Sequence, residues 1–159
     1  VTHEIFQRLR EISLNLRPSD LDDMGLIAAL DGLFKRFTKQ TGIVVLHNIN
    51  PLDEQRFEKT IETTAFRVIQ EALANASRHA RAKNVKVEVR EDGSIILAIV
   101  GDDGEGFDVE AALARRGERG LGLIGMRERA AVLGGELTAG PRPEGGFAVH
   151  ARIPFEVPA

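Results

Sequence analysis

Apolar and polar positions follow two rhythms along this chain, and each change of rhythm marks an element. In HEIFQRLREISLNL, residues 3–16, Ile5, Leu9, Ile12 and Leu16 recur at helical spacing and predict an amphipathic helix. Arg17-Pro18 ends it, because the residue before proline is pushed out of the α region. The spacing predicts a second helix from about Met24 to Thr41, stopped by Gly42. Ile43–Ile49 reads as a strand closed by Pro51, and Asp53–Ala80 as a long helix without internal proline or glycine. Val85–Arg90 and Ile95–Val100 are β-rich runs joined by EDGS, a hairpin signature. Leu123–Leu133 is helical again, and Glu136–Ala139 and Phe147–Ile153 form a last strand pair around GPRPEGG.

Strands in runs, set apart from helices, predict an α+β fold with helices packed on one face of a mixed sheet. The strict βαβ alternation of a dinucleotide-binding fold is missing. At 159 residues the chain fits one compact domain. A net charge of −3 gives no reason to expect nucleic acid as a main partner. The absence of cysteine rules out disulfides and thiolate metal sites and is compatible with the cytosol. No apolar run approaches the ~18 residues that span a bilayer, so no membrane contact is expected of this chain. Because it opens on Val1 inside a helical pattern, it reads as a fragment of a longer protein.

Three features carry candidate chemistry. On the long helix, at about 100° per residue, Phe66, Ile69, Leu73 and Ala76 share the face to be buried. Glu71, Asn75 and Arg78 fall roughly opposite, within an arc of about 60°; such a strip is ordinarily a solvated face. Asparagine is a poor helix former, however, and a mid-helix position calls for some compensation. Next, the β-run IILAIV leads into Asp102-Asp103-Gly104-Glu105-Gly106, placing a carboxylate where a strand emerges into a glycine turn. That carboxylate could accept from an exocyclic amine while Gly104 and Gly106 admit a flat ring, although D-G pairs also mark ordinary turns. Last, Gly120-Leu121-Gly122 immediately precedes a predicted helix, whose free N–H groups would suit an anion. No GK[ST] follows, so it is not a P-loop. Twelve of the sixteen glycines lie between Gly101 and Gly146.

ExxxN on a helix, a strand ending in DxGxG, a variable loop, then GxG opening a helix: this order resembles the N, G1 and G2 boxes of the GHKL ATPases. Within that superfamily, FRVIQEALANASRHARA, VGDDGEGFD and GLGLIGMRERAAVLGG are similar to sensor histidine kinases that partner LuxR-type (NarL-like) response regulators. LRPSDLDDMGLIAAL resembles that family's junction between dimerisation and catalytic domains. The resemblance implies a two-layer α/β sandwich over residues 19–159, with residues 1–18 ending the second dimerisation helix. It implies Mg²⁺ on Asn75, Glu71 as base, and the adenine amino group on Asp102 with Gly104 and Gly106 around the ring. It further implies phosphate contacts from Arg78, His79, Gly120, Leu121 and Gly122, and a lid over Asp108–Arg119 that closes on ATP. Its implied partners are the dimerisation domain of a homodimeric, cytoplasmic or membrane-attached parent kinase and a LuxR-type response regulator.

Two positions depart from the family pattern. Arg78 stands where lysine is usual, and Gly146-Phe147 where many relatives have Gly-Thr, which removes a hydroxyl. His3 lies too close to Arg17 to be the phosphoacceptor, so the acceptor is expected outside this chain. His47 and His150 fall in strands and are expected to be structural or solvent-facing. Two further readings stay open on sequence: an anti-sigma-type serine kinase, against which the LRPSDLDDMGL junction argues, and a non-catalytic nucleotide- or protein-binding module.

Overall fold

A computed structural model describes residues 19–49, 56–79, 81–105 and 118–155. A short helix not foreseen from sequence, α1 (Ser19–Met24), comes first, and the helix predicted from Met24 starts at Leu26 as α2 (Leu26–Thr41). Gly25 separates them at φ 93°, a left-handed conformation closed to most side chains. A Cβ on Gly25 would also lie 2.9 Å from Arg56 Cδ, so the arginine side chain runs across the break. Gly42 caps α2 as expected, its N–H donating to the Thr38 carbonyl.

The chain continues through β1 (Val44–Asn48), α3 (Lys59–His79), β2 (Asn84–Asp92), β3 (Ile95–Asp102), α4 (Glu118–Val132), β4 (Glu136–Pro141) and β5 (Phe147–Pro154). Residues 53–55 of the expected long helix lie outside the described residues, and 56–58 are not helical. Residues 1–18, expected to end the second dimerisation helix, also lie outside them.

The five strands form one mixed sheet in the order β1-β2-β3-β5-β4. β1 runs parallel to β2 through α3, one βαβ crossover, and the other neighbours are antiparallel. β3 and β4 are parallel to one another but separated by β5, so α4 crosses over a slot that the last strand fills. Alternation along the strands gives the sheet two unlike faces. Val85, Val87, Val89, Ile96, Ala98, Val100, Val149, Ala151 and Ile153 turn inward and are buried against the helices. Lys86, Arg90, His150 and Arg152 face outward and are exposed. The core lies between sheet and helices, with Leu26, Leu30, Phe66, Ile69, Leu73, Leu123 and Met126 on the helical side. This is the expected α+β sandwich, covered on one face only.

Candidate functional site

On α3, Phe66, Ile69, Leu73 and Ala76 are buried as the spacing requires. The opposite strip is not a solvated face. Asn75 is only 5% exposed, Glu71 is half-buried, and Arg78 alone is exposed. The cause is α4, which packs on α3 across that strip. A Cβ on Gly122 of α4 would lie 2.5 Å from Glu71 Oε1 and 3.6 Å from Asn75 Nδ2. Helical spacing brings the acid and amide together on α3; a missing side chain on α4 lets them be roofed.

Neither Nδ2 nor Oδ1 of Asn75 has a hydrogen-bond partner among the described residues. An unpaired buried polar group costs roughly 1–3 kcal/mol. A poor helix former kept in mid-helix with an unpaired amide breaks two local rules at one position, the usual mark of a site that serves function. An amide oxygen with a free lone pair, beside a carboxylate, is also the donor chemistry that suits a hard cation such as Mg²⁺. Arg78 Nη2 stands 3.5 Å from Glu71 Oε1, a partly exposed pair worth at most about 1 kcal/mol. It restrains the carboxylate without locking it.

Asp102 is the last residue of β3 and shares the inner face with Val100 and Ala98, in register with Val85. It is 6% exposed. Its Oδ1 accepts the Gly104 N–H at 2.9 Å, and its carboxylate also accepts the Phe147 N–H. Burial pushes the Asp102 carboxyl above the ordinary aspartate value, and the charge of Asp103 adds to the rise. The two N–H donors and the Arg142 charge oppose it. Its neighbour does a different job. Asp103 Oδ1 accepts the Lys83 and Asn84 N–H groups at 2.8 and 2.9 Å, and Oδ2 accepts Asn84 Nδ2 at 2.8 Å. Those bonds, led by the Asn84 backbone, hold the Asp103 carboxyl down to about 2. Of two adjacent aspartates, one clasps the start of β2 and the other keeps acceptor capacity on the inner face of the sheet.

The contacts of Asp102 with Gly146 and Phe147 were not foreseen from sequence. Gly146 has φ 89°, and a Cβ there would collide with the Asp102 carbonyl. Phe147, noted only for lacking a hydroxyl, contributes its backbone N–H. The glycine doublet Gly145-Gly146 was the available signal; its partner, more than forty positions away, was not readable.

The Gly120-Leu121-Gly122 segment does not precede α4 but lies within it, since the helix starts at Glu118. The first N–H groups, through Gly120, have no intrahelical acceptor. Gly122 is further in, where the helical ladder takes its N–H, so its contribution is the close approach to Glu71 and Asn75. Gly106 and residues 108–117 of the expected lid lie outside the described residues, while Glu118 and Arg119 belong to α4. His79 ends α3. His47 packs its ring on Phe34 at 5.0 Å between centroids, and His150 is exposed, both as expected. A groove of about 460 Å³, lined by Lys86, Ile99, Arg142 and His150 among others, opens on the outward face of the sheet. It is on the wrong side for the Asp102 carboxylate and holds none of the candidate residues.

Residues 60–157 match the family described as histidine kinase-, DNA gyrase B-, and HSP90-like ATPase. The chain is 38% identical over 159 residues to the oxygen sensor histidine kinase NreB of Staphylococcus carnosus (strain TM300), which covers 98% of this chain. It spans 44% of that relative's length. Its fold resembles the Erythrobacter litoralis EL346 blue-light activated histidine kinase, with TM-score 0.62 at 21% identity over 79% of this chain and 40% of that one. The separately solved histidine kinase domain of that protein gives 0.60 at 23% identity, over 79% of this chain and 59% of that one. With the ExxxN helix, the DxGxG strand end and the matched fold in one molecule, the chain belongs to the histidine kinase-, DNA gyrase B- and HSP90-like ATPase family, as an ATP-binding catalytic domain of the sensor histidine kinase kind.

Proposed function

We propose that this domain binds Mg·ATP between α3, the end of β3 and the start of α4, and donates the γ-phosphoryl group to a histidine on the dimerisation domain of its parent kinase. The observation that carries the reading is Asn75, buried with both amide atoms unpaired beside Glu71 and Gly122. Asn75 Oδ1 would hold Mg²⁺, which when bound draws charge from the phosphate oxygens. Asp102 accepts from the adenine amino group, with Gly104 and Gly106 assigned to the surround of the ring. Phosphate contacts are assigned to the free N–H groups of α4 up to Gly120, with Leu121 and Gly122 in the same turn, and to Arg78 and His79. Arginine in place of lysine offers a planar fork to phosphate oxygens.

In the transfer itself an imidazole nitrogen of the acceptor histidine attacks the γ-phosphorus, the bond to the β–γ bridging oxygen breaks, and ADP leaves. Glu71 orients that imidazole and takes its proton. Positioning and charge neutralisation supply most of the rate. The phosphoryl group then passes to an aspartate of a response regulator, and resemblance to the NarL-like branch favours a LuxR-type one. The parent is a homodimer whose catalytic part works in the cytoplasm.

Nucleotide titration of the wild type and Asp102→Ala, with and without Mg²⁺, tests the assignment. Tight binding should require Mg²⁺ and fall at least about tenfold in the variant, roughly 1.4 kcal/mol. Equal affinities would remove Asp102 from the adenine site. Adding a separate dimerisation domain and measuring acid-labile phosphate tests transfer. Tight binding without transfer would favour a nucleotide-binding module.

A further inference from the structure

The peptide that carries Asp102 has an unusual support. Asp103 N–H bonds to the Asn84 carbonyl on the β2 side at 3.2 Å, so by the alternation of an antiparallel ladder the Asp102 carbonyl points toward β5. The β3–β5 ladder, however, stops at Gly101 opposite Ala148. Just before Phe147, Gly145 and Gly146 turn away with φ 99° and 89°. The missing ladder bond is made by a side chain. Arg142 Nη1 donates to the Asp102 carbonyl at 2.9 Å.

That guanidinium is itself held in place. Its Nε pairs with Glu144 Oε2 at 3.0 Å. Its Cδ, Nε and Nη1 lie 3.5 Å from where a Gly101 Cβ would stand, so it rests on bare backbone. The hairpin is closed by Arg142 N–H to the Gly146 carbonyl at 2.9 Å and Gly145 N–H to the Arg142 carbonyl at 3.0 Å. The same few residues thus grip Asp102 twice, Arg142 at the main-chain carbonyl and Phe147 N–H at the carboxylate. Gly101 belongs to the outward face and Asp102 to the inward one, so Arg142 works from behind the sheet and does not approach the nucleotide.

We propose that Arg142 is a specificity-determining positioning residue, which completes the β3–β5 ladder and so orients the Asp102 carboxylate to select a purine with a 6-amino group. The inference rests on the reading of Asp102 as adenine acceptor. Strand ends fray when their backbone groups lack partners, and a carboxylate on a frayed end loses its aim. A site built to bond a substrate N–H rejects an analogue lacking it because its own polar group is left unpaired. That rejection depends on orientation, and Arg142 supplies it.

The test compares ATP with purine riboside 5′-triphosphate, which lacks the 6-amino group, by titration calorimetry on this chain. The wild type should prefer ATP, and Asp102→Asn should lose the preference. Arg142→Met should cut the preference by roughly five- to tenfold, the loss of one charge-assisted bond, with affinity for the analogue within about twofold of wild type. Arg142→Lys should restore part of it. Glu144→Gln, which keeps the arginine but frees it, should lower the preference less and serves if Arg142→Met does not fold. Parallel loss of both affinities in the Arg142 variants, or an unchanged preference where Asp102→Asn has lost it, would overturn the proposal. An unchanged preference in Asp102→Asn would instead remove the adenine assignment, and the role of Arg142 with it.

Discussion

Replacing Asn75 by leucine should make the nucleotide-free domain more stable and abolish its response to Mg·ATP. The side chain is buried, and neither amide atom has a partner among the described residues. Removing such a group relieves roughly 1–3 kcal/mol. Leucine has nearly the same branched outline, so no cavity opens, and its better helix propensity adds up to about half a kcal/mol. Gly122, whose Cβ would stand 3.6 Å from Asn75 Nδ2, presents no side chain there. For a domain of this size each kcal/mol moves the melting temperature by about 2–4 °C, giving a rise of roughly 2–14 °C. In the wild type, saturating Mg·ATP should itself raise stability, by about 2.7 kcal/mol at a hundred times Kd. Differential scanning fluorimetry of both proteins, with and without Mg·ATP, separates the two effects. A variant less stable than wild type would mean that the amide is satisfied in solution. A variant that keeps a Mg²⁺-dependent shift would mean that Asn75 is not the metal ligand.

Three further outcomes follow from the geometry. Asp103, held down to about 2, stabilises the fold above the ordinary aspartate value of 3.8 and loses that contribution as pH falls toward 2. Asp103→Asn should therefore be less stable than wild type at pH 7, with the gap closing between about pH 4 and 2 in chemical denaturation; a gap independent of pH would contradict the assignment. Gly122→Ala places a methyl group 2.5 Å from Glu71 Oε1 and must displace that carboxylate. Phosphotransfer to an added dimerisation domain should fall roughly 10–100-fold while the melting temperature stays within a few degrees, and unchanged transfer would argue against Glu71 as base. Arg56→Met should cost about 2–4 kcal/mol, because it strands the Glu62 carboxylate, which is 1% exposed. Arg56→Met with Glu62→Met should recover most of that in a double-mutant cycle, and a single-variant cost under about 1 kcal/mol would show the pair to be dispensable.

How far the sequence reached depends on the range of the interaction concerned. Period-two and period-3.6 patterns are local, and they located every described strand and the bodies of α2, α3 and α4. Boundaries slipped where a nonlocal contact decided them. α2 begins at Leu26 because Gly25 takes a left-handed turn beneath Arg56, and α4 starts at Glu118, so its glycines lie inside the helix. The parallel pairing of β1 with β2 was invisible too, since an apolar run carries no direction. The acid–amide pair of α3 was legible because both residues lie on one helix, four positions apart.

By itself, then, the sequence determined the layered α+β architecture, the buried face of α3, and the short motifs in which Glu71, Asn75 and Asp102 sit. Tertiary structure alone decided that the strip carrying Asn75 is covered by α4, and that Asp103 clasps Lys83 and Asn84 while Asp102 faces inward. It also decided that Arg142, Gly146 and Phe147 close on Asp102 from a distant hairpin. The physical reason is one of range. Side-chain periodicity is imposed by the backbone within a few residues, whereas burial, hydrogen-bond partners and acid strength are set by whichever segments the chain brings together across the sheet.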